Sequence, residues 1–144
     1  MPHLDGARDA KHGVWRRCVA LATSQYGLIT TQQALMLGLT ARRLEGLVEK
    51  GLLQRLHTGL YVLAGTPRSH EQLLLAPCLI GAPLACVSHR SAAWLWGLDG
   101  ADTEIIEVSS VNAIRMPGVR SHRTKDLGPE VTVIRRGTPP MLGT

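Results

Sequence analysis

Between Leu28 and Leu63 the chain reads LITTQQALMLGLTARRLEGLVEKGLLQRLHTGLYVL, and the punctuation of this stretch leaves few folds open. Thr30 stands where it can cap a helix, and Gln33, three residues on, answers it as a capping box. Ile29 lies where it would staple onto Ala34. Ala34, Leu35 and Leu37 supply an inward face, and Gly38 takes the left-handed position that ends the helix. The pattern then repeats: Thr40 caps a second helix, and Leu39 can staple onto Leu44. Leu44, Leu47 and Val48 recur at i, i+3 and i+4 as one buried stripe, and Gly51 stops the helix. In Leu53–Leu56 and Leu60–Leu63 apolar and polar positions partly alternate around a His57-Thr58-Gly59 turn. Two short capped helices followed by a two-stranded ribbon outline a winged helix-turn-helix, a fold used mostly to set one helix in a DNA groove.

The side chains left for solvent on the second helix are Arg42, Arg43, Glu45, Glu49 and Lys50, together with Gly46. Arg42 and Arg43 fall in its first turn, where cations oppose the helix dipole and cost up to about 1 kcal/mol unless an anion compensates. A phosphate or a guanine edge would do so, and base contacts usually fall in the first turn of a recognition helix. The expected DNA-contacting set is therefore Thr40, Arg42, Arg43 and Lys50 from the helix, with Arg55 and His57 near the tip of the ribbon. His57 reads equally well as a plain turn residue, whereas Arg55 is always charged.

Charge is distributed to match. Residues 1–65 hold eight Lys/Arg against four Asp/Glu, so they carry +4 of the chain's net +5. A basic module beside a near-neutral one assigns polyanion contact to the first half. The Gly65-Thr66-Pro67 break suggests a boundary between a winged-helix domain, 1–65, and a small α+β domain, 66–144. Upstream, Asp9 to Tyr26 reads as a helix with Val14, Cys18, Leu21 and Ala22 on one face and Arg16 and Arg17 away from it. Residues 1–8 read as a loose arm.

The second half opens with a helix from Ser69 to about Leu75, interrupted at Pro77. The uncharged stretch Leu73–Val87 is broken by Pro77, Gly81 and Pro83 and falls short of the roughly 20 apolar residues a membrane span needs. It reads as buried core. With no signal peptide visible, the expected compartment is the cytoplasm. Cys18, Cys78 and Cys86 are odd in number and lack metal-ligand spacing, so they read as reduced core thiols. A helix Ser88–Trp96 ends at Gly97, and strands follow at Glu104–Ser109, Val119–His122 and Val131–Arg135, with turns at Pro117-Gly118 and Gly128-Pro129.

Ser88-His89 and His122-Arg123 are the residues that invite an enzymatic reading. Adjacent side chains on a helix do not face each other, and no acidic motif accompanies them. Ser88 as a helix cap, with His89 or Arg90 bonding locally, accounts for them more simply. No spacing selects a metal site among His70, His89 and His122. Neither catalysis nor a cofactor is expected.

Taken together, YGLIT, GLLQRLHTGLYVLAG, SHRSAAWLWGLDG, IEV, PGVRSHR and DLGPEVTVIRRGTPP resemble the AbiEi-type antitoxin family from about Trp15 to Pro139. The block SHRSAA-x-LWGL with the preceding ribbon is the most specific part. The resemblance implies a type IV toxin–antitoxin system and a winged helix that binds double-stranded DNA and represses its own operon. It further implies a second domain tied to antitoxicity, and a nucleotidyltransferase-like toxin as a genetic partner that need not be bound directly. Thr58 stands where relatives often carry Pro. Relatives also continue past GTPP, so the second domain is expected to be truncated. Two other readings remain: a protein-interaction module, or the targeting remnant of a restriction-endonuclease-like protein. Neither an oligomeric state nor an operator is legible.

Overall fold

The structure is a computed structural model that describes residues 2–81, 85–98, 104–125, 132–133 and 141–142, with backbone alone for 2–11 and for the last two segments. The chain is α+β, with helices and strands interleaved, and divides into two compact units, Met1–Pro67 and Arg68–Thr144.

In the first unit the order is α1 (Pro2–Ser24), β1 (Leu28–Thr30), α2 (Thr31–Met36), α3 (Ala41–Glu49), β2 (Leu53–His57) and β3 (Leu60–Leu63). This is a winged helix-turn-helix. Thr30 Oγ1 accepts from Gln33 N while Gln33 Oε1 accepts from Thr30 N, so the capping box is complete. Gln33 also exchanges hydrogen bonds of 2.9 and 3.0 Å with the Gln25 amide, which pins the start of α2 to the end of α1. Thr40 Oγ1 accepts from Arg43 N at 3.1 Å and caps α3. Gly38 and Gly51 take positive φ where the two helices stop.

Cys18 and Ala22 of α1, Ile29, Ala34, Leu39, Leu44, Leu47 and Leu53 form one buried cluster, with Val14, Trp15, Leu21, Leu37, Val48, Tyr61 and Leu63 packed against it. Leu35 does not join them. It is 44% exposed, because in a six-residue helix Ala34 and Leu37 already define the inward face and Leu35 points about 100° away. The ribbon has a third strand that the sequence did not suggest: β1 pairs antiparallel with β3, Ile29 opposite Tyr61, giving the order β1-β3-β2. Thr31 N donates to Gly59 O at 2.9 Å, so the ribbon's turn is tied to the start of α2. Residues 2–8 form the first turns of α1 rather than a loose arm; Pro2 suits the first helical position, where no N–H is needed.

The second unit contains α4 (His70–Ile80), β4 (Ala85–Val87), α5 (His89–Leu95), β5 (Ile106–Ser110), β6 (Val119–Arg123), β7 (Thr132–Val133) and β8 (Met141–Leu142), with the sheet in the order β6-β5-β4-β8-β7. Ser69 caps α4 as expected, but the helix runs through Pro77 instead of stopping there. Pro77 is fully buried among Leu74, Leu75, Ala76 and Cys78, and the packing of this face on β4 and β5 outweighs the lost backbone bond. β5 and β6 are parallel, and their short connection buries Ile114. The remainder of the expected Val131–Arg135 strand and the Gly128-Pro129 turn lie outside the described residues. All three cysteines are free and buried, and desolvation pushes the Cys86 thiol up to about 11 and the Cys78 thiol higher still. Among the described residues no helix is long and apolar enough to cross a membrane.

Because α3 is held by burial of its apolar stripe, Leu44→Ala should cost about 2–5 kcal/mol of unfolding free energy. Met36→Ala, at a site 81% exposed, should change it by less than about 0.5 kcal/mol in the same denaturant titration.

Candidate nucleic-acid interface

Two faces of α3 are open to solvent, and they differ in charge. Burial of Leu44 and Leu47 fixes the rotation of the helix about its axis. Arg42 and Lys50 then emerge exposed and Arg43 half-buried, and with Gly46 and Leu47 they line one shallow depression. The neighbouring side carries Glu45 and Glu49, which line a second depression with Val48, Arg55 and Tyr61. Among the described residues neither glutamate forms an ion pair.

The six residues singled out by the sequence thus separate into groups. Arg42, Arg43 and Lys50 come together. Thr40 lies at the head of the same helix, its oxygen occupied as an acceptor by Arg43 N. Arg55 stands opposite Tyr61 in the ribbon and faces α3, on the side of the two glutamates rather than of the three cations. His57, at the bulge where the register shifts, is half-buried, and its Nδ1 lies 3.4 Å from Thr58 O. On α1, Arg16 is exposed, whereas Arg17 donates to Leu37 O at 3.4 Å and so meets the C-terminal carbonyls of α2.

In the second unit the sequence missed one residue that organises its polar cluster. Glu107, buried in β5, accepts from Arg90 N at 3.1 Å and from His122 Nε2 at 3.3 Å, with Arg120 at 3.9 Å. Its own N–H donates to Ser91 Oγ at 2.8 Å. Ser88 occupies the cap position of α5, yet its hydroxyl makes no cap bond; the Glu107 carboxylate serves the first turn instead. Ser88 Oγ and His89 Nδ1 are 2.9 Å apart, contrary to the expectation for helical neighbours, because Ser88 precedes the helix and His89, its first residue, has φ +54°, outside the right-handed region. The His89 ring stacks on His122 at 3.8 Å. Ser88 is wholly buried. His70 lies apart from this pair, against Trp94. Among the described residues no group of three or more His, Cys, Asp or Glu could hold a metal ion. The signal for Glu107 was a lone carboxylate in a strand otherwise buried on both faces.

Residues 12–64 match a family described as transcriptional regulator, AbiEi antitoxin. The matched segment runs from the body of α1 to the end of the ribbon, and it bears out the resemblance read from the sequence over that stretch. The AbiEi match therefore covers the unit that carries the cationic depression. No curated protein matches the chain.

Burial pushes the Glu107 carboxyl upward, but the Arg90 N–H and the His122 and His89 rings outweigh it and hold the group below its ordinary value of 4.5. A depressed carboxylate adds stability that is complete above the unfolded value and lost as pH falls through the folded one. Unfolding free energy should therefore drop as pH is lowered below about 4.5, and Glu107→Gln should flatten that limb and lower stability at neutral pH. Denaturant titration across the acid range reads both effects.

Proposed function

We propose that this chain is a DNA-binding transcriptional regulator of the antitoxin type, which reads operator DNA with α3 and steadies it with the β2–β3 wing. The observation that carries the proposal is the convergence of Arg42, Arg43 and Lys50 on one open face of the second helix of a winged helix-turn-helix. The family match over the same residues supports it.

In this reading Arg42 and Arg43 are the base- and phosphate-contacting cations of the first turn, and the Thr40 hydroxyl, already an acceptor to Arg43 N, has its O–H left to donate to a phosphate. Lys50 binds a phosphate at the far end of the helix. Arg55 and His57 belong to the wing, Arg55 balancing the acidic flank of α3 as it meets the duplex. The first unit is the DNA-binding domain and the second is tied to antitoxicity, with a nucleotidyltransferase-like toxin as the genetic partner. The chain acts in the cytoplasm, where its DNA is, and catalyses no reaction.

Binding to duplex DNA should be steeply salt-dependent: four or five phosphate contacts would cost roughly a few hundred-fold in affinity between about 50 and 200 mM salt. Arg42→Ala or Arg43→Ala should weaken binding to the selected site by about ten-fold or more, and Arg115→Ala, at an exposed site in the second unit, by far less. Equal losses at all three positions, in anisotropy titrations on a duplex selected from a random pool, would overturn the assignment to α3.

A further inference from the structure

Gly46 sits in the middle of α3, and nothing within the described residues requires a glycine there. Its backbone is ordinary right-handed helix, and a Cβ built on it would meet nothing within 4 Å. Only proline is a poorer helix former, so the residue weakens a helix of nine residues without serving a turn or a close internal contact. Gly38, by contrast, has positive φ, and a Cβ there would press on Val14.

The space over Gly46 is bounded by charge. Arg42, Gly46 and Lys50 stand four residues apart, on one row along the helix. The depression they share with Arg43 and Leu47 measures about 280 Å³, room for several water molecules at about 30 Å³ each and hence for a larger polar group. The row is therefore a notch with a cation on either side, and Glu45 and Glu49 lie off it, in the depression next to the ribbon. Two cations flanking a gap select an anion.

We propose that Gly46 is the point where α3 and duplex DNA come closest, the seat of a backbone phosphate held between Arg42 and Lys50. This rests on the DNA-reading function above and adds a contact to it. The missing side chain lets a phosphate oxygen reach the helix surface, and a methyl group there would fill the gap and hold the strand away. Since a phosphate carries no base identity, the seat contributes affinity and position rather than sequence preference.

The test uses the full chain and its Gly46→Ala variant, with a pool of random-sequence duplexes three helical turns long. Thermal melting should show the variant to be the more stable protein, its first unit melting roughly 4 °C or more higher. The same variant should bind about ten-fold more weakly to every duplex in the pool, with a salt slope reduced by about one. Unchanged binding by Gly46→Ala, beside a wild-type chain that binds, would overturn the seat alone. A loss confined to particular sequences would assign the notch to a base edge and overturn the phosphate. A lowered melting temperature would mean that the fold itself needs the glycine, which also overturns the proposal. Failure of the wild-type chain to bind any duplex would sink the DNA-reading function and the seat with it.

Discussion

Burial of Leu44 and Leu47 against Cys18, Ala22 and Ala34 is the constraint on which the first unit depends. A nine-residue helix does not persist alone in water, where even alanine-rich peptides need more than about 12 residues. α3 therefore exists only because its apolar stripe is covered, and that covering also sets its rotation. Once the rotation is set, the remaining side chains have no choice of direction: three cations leave on one flank and two carboxylates on the other. The chemistry of the exposed surface is thus a consequence of the packing beneath it. The wing is fixed by the same means, since Leu53, Tyr61 and Leu63 pack on this cluster and the Thr31 to Gly59 bond closes the ribbon onto α2.

Much of this was legible in the sequence because the signals are local. The bonds of Thr30 to Gln33 and of Thr40 to Arg43 each span three residues, so a cap can be read from spacing alone. What escaped reading was either very short or long-range. β1 has three residues, and its last, Thr30, is also the cap of α2, so the helix signal hid the strand. Pro77 reads locally as a stop, and only the packing of α4 on β4 and β5 shows why the helix passes through it. Glu107 serves the first turn of α5 from seventeen residues away, and spacing cannot suggest such a bond. Gly46 could be read as solvent-facing, but the open space around it is a property of the fold.

The two depressions of α3 impose a direction on any polyanion that approaches. In the proposed DNA-reading role, a duplex lying over Arg42, Arg43 and Lys50 would be attracted along that flank and repelled along Glu45 and Glu49, where the carboxylates have Arg55 beside them. An acidic flank weakens contact with phosphate, yet it also penalises a helix that docks rotated the wrong way about its axis. Charge of both signs on one short helix would therefore fix the orientation of the proposed complex in a way that cations alone would not.

Most of the surface in question is separable from stability. Arg42 and Lys50 are exposed, and Gly46 holds nothing in place, so the fold has little stake in any of them. Thr40 is the exception. Its oxygen accepts the Arg43 N–H that orders the first turn, and its O–H has no acceptor among the described residues. A phosphate that accepted that hydrogen would polarise the hydroxyl and strengthen the cap beneath it, so ligand contact and helix order would rise together at this one residue. Serine keeps both bonds, whereas alanine removes both at once, so a loss at Thr40→Ala sums contact and capping, and only a melting measurement beside the binding one divides it.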